Sequence, residues 1–544
     1  MITDLKKDFG VLYGQRTTED ALLIYSSYED SKASPQTGDF IVLTPKDEDG
    51  KKFLARVEAE IYDEDPIFRS QDKTLIAVHY ARIAERELSE RDKQKMFSYT
   101  YKVKILGAYT SDGKDFTTAV RKLPVVSYHA RHLTPREFDN ILNKANENGV
   151  EIGKLCIGDD IQLDKNYILF DINKLRDKRT MIFAQSGFGK TNLMKALIFN
   201  MIGDLSYGKL IFDLNGEYFL KGPKTYGLGD INEKKIKENL IVYTDKKLPS
   251  KYKDRFINCG SVKLNMHKHL TIGDILSFST GFSEVMKSFL LYLDDNQAED
   301  FISNINDYVN DPAKLHRQFP DFWDTKKEAS SRNTIAAIRK RLAFLVDETK
   351  GLHQLKSTLM EDVFNYLKQG KTIIIDLSLK DNVEASIIST MIVRKLFDTN
   401  KMNFTADKQD ALINAVLCVE EAQNVLSEEF VKSNANPFVR VAKEGRKFGL
   451  GLIAITQRPS AISEEIRTQA ENFFTFHMGN TDDLKALIRS NINYDGVISK
   501  FIQTETIPGN LYMVSANQSF TLPVRVVNFE KLVHKSVYED SRLS

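Results

Sequence analysis

The fold of this chain is decided by the stretch Thr180-Met-Ile-Phe-Ala-Gln-Ser-Gly-Phe-Gly-Lys-Thr-Asn-Leu-Met194. It opens with a short apolar run, residues 181–184, that predicts a buried strand. The chain then turns through Gly187 and Gly189 and continues from Lys190 with apolar residues at helical spacing. A strand, a glycine-rich turn and a helix form a cradle in which backbone N–H groups and the helix N-terminus face an anion. The stretch therefore predicts a phosphate-binding loop.

Two residues of this loop are expected to contact a nucleotide directly. Lys190 would reach the β- and γ-phosphates of ATP, and the Thr191 hydroxyl would bind Mg²⁺. Ala184 stands where the first glycine of the Walker A pattern usually lies. A glycine turn between two core elements is the simplest alternative, but the flanking strand and helix favour a nucleotide site. The predicted nucleotide-binding residues are Ser186, Gly187, Phe188, Gly189, Lys190, Thr191 and Asn192.

The composition is that of a soluble globular protein with more than one domain. The chain has 544 residues, of which 42% are hydrophobic and 28% charged, and it is too long for a single core. Because 76 Lys and Arg nearly cancel 75 Asp and Glu, contact with DNA would require a local basic patch or a surface formed by assembly. The three cysteines match no metal-binding spacing, and no apolar stretch is long enough to span a bilayer. We therefore expect a cytoplasmic protein without a membrane partner.

The regions around the loop predict an α/β protein with a small barrel before the nucleotide core. Short strand-like runs, which favour the barrel, lie at residues 9–13, 21–26, 40–43, 53–60 and 96–109, with a helical pattern at 75–95. Apolar strands alternating with helical segments, which favour a parallel sheet, lie at residues 209–213, 372–376, 415–419 and 450–456. Amphipathic helices lie at residues 282–293, 298–309, 334–346 and 355–367.

These patterns divide the chain into five predicted segments. They are a β-barrel (1–125), the first part of the core with a connector (126–269), a helical insertion (270–368), the second part of the core (369–530) and a C-terminal tail (531–544).

A pair of carboxylates follows the apolar strand at residues 415–419. Glu420 and Glu421 would lie at the edge of a parallel sheet at which ligands bind. In a P-loop enzyme the first carboxylate orients Mg²⁺ and its waters, and the second activates the attacking water. Alone, the pair could equally be an ordinary polar strand end. Together with the phosphate loop, it predicts Glu420 and Thr191 as the metal site and Glu421 as the general base.

Other polar and basic residues lie at the ends of the predicted strands. The amide of Gln457 would hydrogen-bond the γ-phosphate or the attacking water, and Glu217 would position waters around Mg²⁺. Arg446 would stabilise transition-state charge on the phosphates. Lys178 and Arg179 precede the strand of the phosphate loop and, in a ring, would serve the nucleotide of a neighbouring subunit. Capping turns and solvated basic loops are the alternatives for these five residues.

The combination of motifs resembles the HerA-type ATPases of the HerA–FtsK superfamily. The resemblance is carried by residues 184–191, 213–218, 419–423, 444–449 and 456–459, in the order of the family. Gly38-Asp-Phe40 followed by Ala55-Arg-Val57 also looks like the small N-terminal barrel of these proteins. The resemblance spans residues 5–530 and is strongest over the nucleotide core.

The resemblance implies a RecA-like P-loop core and a homo-hexameric ring that hydrolyses ATP at subunit interfaces to pump double-stranded DNA through its pore. By position, Lys190 and Thr191 take the Walker A roles, and Glu420 and Glu421 take the Walker B roles. Gln457 matches the polar sensor and Arg446 the arginine near the phosphates. Lys178 or Arg179 lies where a residue acting on the neighbouring site is expected.

The resemblance also implies a separate effector. Family members work beside a nuclease, of the NurA type in archaea, or beside sirtuin-like or nuclease effectors in anti-phage systems, and this chain carries no recognisable nuclease or deacetylase motif. Two alternatives stay open: an ATP-binding ring scaffold that gates a partner without productive translocation, and a conjugation or secretion ATPase. Weak candidates for DNA contacts in the pore are Lys221, Lys224, Lys246 and Lys247.

Overall fold

The structure is a computed structural model. It describes residues 8–15, 21–27, 35–46, 50–64, 97–157, 160–161, 166–220, 222, 225–278, 282–320, 322, 328–349, 351–433 and 436–532. The chain forms two compact units, of which the first comprises Met1–Ile172, Phe183–Lys190 and Glu471–Val527, and the second Asn173–Ile182, Thr191–Ala470 and Asn528–Ser544. The five predicted segment boundaries stay predictions. The predicted helix at residues 75–95 and the lysines at 221 and 224 lie outside the described residues.

The first unit contains a closed antiparallel barrel with the strand order β1-β2-β5-β4-β3-β6. The strands are β1 (Gly10–Gln15), β2 (Ala21–Ser27), β3 (Phe40–Thr44), β4 (Lys52–Glu64), β5 (Phe97–Tyr109) and β6 (His129–His132). Alternate side chains such as Ile24, Ile41 and Val103 fill its interior, because successive residues of a strand face opposite sides. The predicted barrel is confirmed, and β6, which the strand-like runs did not indicate, closes it.

A second set of strands in this unit is also antiparallel. The order is β17 (Asn472–Thr475), β18 (Asn510–Val514), β19 (Leu522–Val526) and β7 (Val150–Ile157), and both β8 (Asp160–Ile161) and β9 (Tyr167–Phe170) pair with β7. The α-helices in the described residues of this unit are Pro135–Leu142, Thr481–Ser490 and Val497–Thr504. The sequence did not indicate these antiparallel strands of the C-terminal region.

The second unit is built on a parallel sheet with the order β13-β12-β14-β11-β15-β16-β10. The strands are β10 (Arg179–Phe183, up to Ile182 in this unit), β11 (Gly208–Asp213), β12 (Leu240–Tyr243), β13 (Ile257–Gly260), β14 (Thr372–Asp376), β15 (Ala415–Val419) and β16 (Leu450–Thr456). Every residue of β11, β14, β15 and β16 is buried, as expected for central strands covered on both faces. The predicted α/β core is confirmed.

The described part of the second unit also contains many helices. Those in the region predicted to be a helical insertion are Met266–His269, Ile272–Phe278, Glu284–Tyr292, Asp295–Asn310, Pro312–Gln318, Glu328–Val346 and Leu359–Lys368. The others are Lys190–Met201, Lys234–Asn239, Asn382–Thr405, Gln423–Leu426, Glu428–Ser433, Pro437–Glu444 and Glu464–Arg467. The helix predicted from residue 355 begins four residues later, because Ser357 N–H donates to the Gln354 carbonyl (3.0 Å) and forms a turn first. No helix in the described part of the chain is long and apolar enough to cross a membrane.

Candidate active site

The phosphate-binding turn lies between β10 and the helix Lys190–Met201. Ala184 follows the strand and is 1% exposed, whereas the next three residues face solvent. Gly187 and Gly189 have positive φ angles of 87° and 106°, which residues with a Cβ rarely adopt. Ala184 is not among the described residues with a positive φ, so its methyl group fits where the pattern usually has a glycine. The turn has the backbone conformation that a phosphate cradle requires.

The turn belongs to the first unit, and the residues it packs against belong to the same unit. The rings of Phe188 and His477 lie 4.5 Å apart at an angle of 31°, and Gln185 N–H donates to the His477 carbonyl (3.4 Å). Gly509 N–H donates to the Phe188 carbonyl (3.0 Å). A Cβ on Gly189 would lie 3.3 Å from the nitrogen of Gly509. This close approach is a second reason for glycine at position 189.

The first side chains of the helix point to different partners. The Thr191 hydroxyl donates to Glu217 Oε2 (2.7 Å), and Asn192 Oδ1 accepts the N–H of Phe529 (2.8 Å). Lys190 has no hydrogen bond or ion pair with any residue that the structure describes. Ser186 lies on the exposed turn. The Lys190 ammonium is therefore available to a ligand.

The loop after β11 is organised by one carboxylate. Asp213 accepts hydrogen bonds from the backbone N–H groups of residues 215–218, at 2.7 to 3.3 Å. Burial and the nearby charges of Glu420 and Asp376 raise the pKa of Asp213 to about 7, although its hydrogen bonds to the loop oppose the shift. Asp213 thus fixes the loop that carries Glu217, while the residue itself is fully buried.

Asp376 ends the neighbouring strand β14 and lies directly opposite Asp213 in the parallel register. Its carboxylate accepts hydrogen bonds from the hydroxyls of Thr244 and Ser378, both at 2.6 Å. The ammonium of Lys246 lies 3.3 Å from the same carboxylate. Lys246, a weak candidate for a DNA contact, is thus paired within this chain, and Lys247 is exposed.

Glu420 follows β15 and is 2% exposed. Its Oε1 accepts a hydrogen bond of 2.6 Å from the hydroxyl of Tyr218, which is fully buried, and its Oε2 accepts one of 3.3 Å from the side-chain amide of Asn215. Both donors belong to the loop that Asp213 organises. Glu420 and Glu217 are therefore connected through one short segment.

The backbone of Glu421 lies in the left-handed region, with a φ angle of 47°. This conformation is unfavourable for residues other than glycine, asparagine and aspartate. Its carboxylate accepts hydrogen bonds from the side-chain amides of Gln423 (2.7 Å) and Gln457 (3.4 Å). Gln423 accepts in turn from the hydroxyl of Thr456 (2.6 Å). The structure thus brings Glu421 and Gln457 together, and two amides orient the carboxylate at the end of β15.

The basic candidates Arg446, Lys178 and Arg179 lie at the amino ends of the parallel strands, opposite the carboxyl ends at which Glu421 and Gln457 lie. Arg446 precedes β16, its side chain is 63% exposed, and its Nε lies 3.8 Å from Asp177 Oδ2. Gln457 follows the seven residues of β16, so the two ends are about 23 Å apart at 3.3 Å per residue. Arg179 donates to the Ala442 carbonyl and to Gln469 Oε1 (3.0 and 2.6 Å). The half-buried side chain of Lys178 has no partner among the described residues.

The residues at the carboxyl edge of the sheet fit a Mg²⁺–nucleotide complex. Mg²⁺ bound to a nucleotide takes few protein ligands, because phosphate oxygens and waters complete its octahedron. The Thr191 hydroxyl is a suitable direct ligand, and Glu217 and Glu420 are suitable acceptors for metal-bound water. In the described part of the chain no three His, Cys, Asp or Glu side chains form a metal site by themselves.

Sequence reasoning missed four side chains of this region: Asp213 as the loop anchor, Tyr218, Asp376 and His477. The strand-end position of Asp213 and Asp376 was a usable signal, because the carboxyl ends of parallel strands meet at one edge. Tyr218 and His477 gave no signal, since their partners are 202 and 289 residues away in the sequence.

Comparison with known proteins finds two family models that match parts of this chain. A family model described as "Helicase HerA, central domain" matches residues 150–396. A second, described as "Zonular occludens toxin (Zot)", matches residues 344–492. A probable helicase of Methanocaldococcus jannaschii is 23% identical over 459 residues, which cover 84% of this chain and 79% of that protein.

A further relative and a solved structure are similar to parts of this chain. The DNA double-strand break repair helicase HerA of Sulfurisphaera tokodaii is 26% identical over 377 residues, which cover 68% of this chain and 67% of that protein. Among solved structures, the plasmid coupling protein TrwB in complex with ADP and Mg²⁺ is 12% identical, with a TM-score of 0.41, and the match covers 70% of this chain and 95% of that chain. The expected resemblance is thus confirmed by the central-domain match and the curated relatives.

Proposed function

We propose that this chain, a relative of the HerA-type ATPases, is an ATP-driven motor acting on double-stranded DNA. The observation that carries the proposal is the environment of Glu421. Its carboxylate accepts from the amides of Gln423 and Gln457, and its left-handed backbone is the kind of strain that persists at functional sites. Both features are expected of a base that must be oriented toward an attacking water.

The proposed reaction assigns one task to each side chain. Lys190 would bind the β- and γ-phosphates, and Thr191 would contribute its hydroxyl to the metal ion. Glu217 and Glu420 would hold the ion through hydrogen bonds to its waters. Glu421 takes the proton of the water that attacks the γ-phosphorus, and Gln457 orients that water. The Mg²⁺ ion, when bound, neutralises charge on the phosphate oxygens.

The proposal includes action between subunits. Arg446 and Lys178 lie at the amino edge of the sheet, whereas Glu421 and Gln457 lie at its carboxyl edge. About 23 Å of strand separates the two edges, and this distance supports an action of Arg446 on the nucleotide of a neighbouring chain. Lys178 is favoured over Arg179 for the same task, because Arg179 already donates within its own chain.

We further propose a homo-hexamer that works with a separate nuclease or other effector in the cytoplasm, in DNA end processing or anti-phage defence. A near-neutral chain, with net charge +1, is compatible with a DNA motor, because a ring repeats each lysine of its pore in every subunit. Phosphate contacts of that kind make binding sensitive to salt.

Steady-state ATP hydrolysis, measured with and without linear duplex DNA, tests the proposal. Lys190→Ala is the blank, because it removes the phosphate-binding ammonium. Stimulation by duplex at low salt that is absent from the blank supports the motor. Hydrolysis that is indifferent to duplex supports a ring that gates a partner, or a secretion ATPase, and contradicts the DNA motor. The absence of any hydrolysis would leave only a nucleotide-binding scaffold.

A further inference from the structure

The loop that follows β11, residues 214–218, contacts two groups assigned above to the metal site, the Thr191 hydroxyl and the Glu420 carboxylate. Its consecutive residues Glu217 and Tyr218 point to different partners: Glu217 to the Thr191 hydroxyl (2.7 Å) and Tyr218 to Glu420 (2.6 Å). The loop therefore sets the relative position of a Walker A hydroxyl and a Walker B carboxylate.

The contact between Tyr218 and Glu420 is fully enclosed. Tyr218 is 0% exposed and Glu420 is 2% exposed, so water does not compete for the hydrogen bond. Burial raises the pKa of the Tyr218 phenol well above its ordinary value, and the charge of Glu420 raises it further. In this enclosed contact the phenol donates its proton to the carboxylate oxygen in a hydrogen bond.

The backbone of Tyr218 is anchored on both sides. Its N–H donates to Asp213 Oδ2 (3.1 Å), and its carbonyl accepts the N–H of Leu228 (2.8 Å). At Gly216 the φ angle is 67°, and an added Cβ would meet Ser378 Oγ at 2.9 Å. These contacts hold the main chain that carries the Tyr218 ring, and the ring itself is fully buried.

We propose that Tyr218 is a positioning residue for Mg²⁺: its hydroxyl orients Glu420 so that the carboxylate accepts hydrogen bonds from the waters of the nucleotide-bound metal. Asn215 supports the other carboxylate oxygen more weakly, at 3.3 Å. Partners of this outer kind commonly change metal affinity by about 10- to 100-fold when they are removed. The inference rests on the proposed ATPase function.

The test compares Tyr218→Phe with wild type and with Tyr494→Phe in the full-length chain. Tyr494 is a matched control, because it is also fully buried and its hydroxyl donates to the main-chain carbonyls of Phe473 and Tyr512 (3.4 and 3.0 Å) and not to a carboxylate. Two quantities are measured: the free Mg²⁺ concentration that gives half-maximal ATP hydrolysis, and the gain in affinity for a fluorescent ADP on adding Mg²⁺.

In Tyr218→Phe we expect the half-maximal Mg²⁺ concentration to rise about tenfold and the Mg²⁺-dependent gain in ADP affinity to fall by a similar factor. ADP binding without Mg²⁺ and both values for Tyr494→Phe should stay at the wild-type level. A Tyr218→Phe chain with wild-type Mg²⁺ dependence would overturn the proposal.

Asn215→Ala is the second variant. It removes a second hydrogen bond to Glu420 and therefore tests the proposal even if Tyr218→Phe fails to fold. Asn215 is exposed, so its loss does not disturb the core, and the expected shift has the same direction but is smaller. An unshifted Asn215→Ala, where Tyr218→Phe does not fold, would also count against the proposal. A wild-type chain that neither hydrolyses ATP nor binds ADP more tightly with Mg²⁺ would instead reject the ATPase function itself.

Discussion

Glu421 is the single residue on which hydrolysis is expected to depend most. Its carboxylate accepts hydrogen bonds from Gln423 and Gln457, and glutamine at this position would keep its size but could not accept a proton. We expect Glu421→Gln to lower the rate of ATP hydrolysis by about 100-fold or more, since general bases contribute that much. ATP binding should be retained. Single-turnover hydrolysis and equilibrium nucleotide binding measure the two effects separately.

Glu429→Gln is the control for this substitution. Glu429 lies on the nearby helix Glu428–Ser433 and is exposed, so its rate should equal that of the wild type. A Glu421→Gln chain that hydrolyses ATP within a few-fold of wild type would show that another group activates the water.

At this scale the sequence predicted part of the site. Glu421 and Gln457 follow neighbouring parallel strands, and the structure places their side chains in contact, because the carboxyl ends of such strands share an edge. Their chemical roles stay predictions. Tyr218 could not be predicted, since an aromatic residue after a turn is most simply a core residue. Only the three-dimensional contact with Glu420 distinguishes it.

At the scale of elements, the helix Pro135–Leu142 begins with a network centred on one glutamate. Glu137 forms a capping box with Thr134 and also accepts hydrogen bonds from Tyr109 and from two guanidinium nitrogens of Arg131, at 2.8 to 2.9 Å. Replacing Glu137 with glutamine would leave the half-buried Arg131 without a counter-charge. We expect Glu137→Gln to lower the free energy of unfolding by about 3 kcal/mol, measured by thermal unfolding at pH 7.

The pH dependence of this network follows from the pKa of Glu137. Burial alone would raise the pKa, but the hydrogen bonds and charge of Arg131 outweigh it and lower the pKa from 4.5 to about 2. A carboxyl with a lowered pKa stabilises the fold above its unfolded value and loses that effect as the pH falls through the folded value. The difference between wild type and Glu137→Gln should therefore shrink below pH 4.5. Arg136→Gln is the control, because Arg136 forms an ion pair with Asp112 but its side chain is 74% exposed. This substitution should change the free energy of unfolding little at either pH.

A second element-scale prediction concerns two stacked histidines. The rings of His267 and His353 lie 4.4 Å apart, and His353 Nδ1 accepts the N–H of Met266 (3.1 Å). Burial lowers the pKa of both imidazoles below 6.5, and for His353 the neighbouring His267 adds to this effect. Both are therefore neutral in the fold at pH 7.

Because the pKa of each histidine is lower in the fold than its unfolded value of 6.5, both stabilise the fold above pH 6.5. This stabilisation is lost as the pH falls through their pKa values in the folded state. We expect the melting temperature of the wild type to fall more between pH 7.5 and 5.5 than that of His267→Phe, which keeps the stacked ring without its charge. Equal decreases in the two proteins, measured by circular dichroism, would contradict this account.

Elements were predictable where the sequence carried a continuous pattern. The strands β11, β14, β15 and β16 are uninterrupted apolar runs, so their positions followed from the sequence. The strands β12 and β13 have only four residues each, too few for a periodicity to be recognised. The helix predicted from residue 355 begins at Leu359, because a local turn competes with helix formation and only the packed structure decides between them.

At the scale of the whole molecule, the fold class followed from the sequence, whereas the residues of one chain do not determine the proposed ring. Alternating strands and helices predict an α/β core, and the structure confirms it. A ring leaves no periodic or compositional signal in one chain, since its contacts join residues of different copies. The positions of Arg446 and Glu421 at opposite edges of one sheet are the feature of the single chain that bears on assembly, and they give a prediction that needs no knowledge of ring size.

That prediction is recovery of activity on mixing two inactive chains. An Arg446→Ala chain retains Glu421, and a Glu421→Gln chain retains Arg446, so a mixed interface can contain both intact groups if Arg446 acts on the neighbouring site. With equal amounts and random assembly, about one interface in four has this arrangement in a head-to-tail ring. We expect ATP hydrolysis by the mixture to exceed that of either variant alone.

Lys190→Ala mixed with Glu421→Gln is the control: both changes affect the same nucleotide site, so no interface regains Lys190 and Glu421 together. Recovery in the first mixture but not in the control would establish action between subunits, whereas two inactive mixtures would require Arg446 to act within its own chain or not at all.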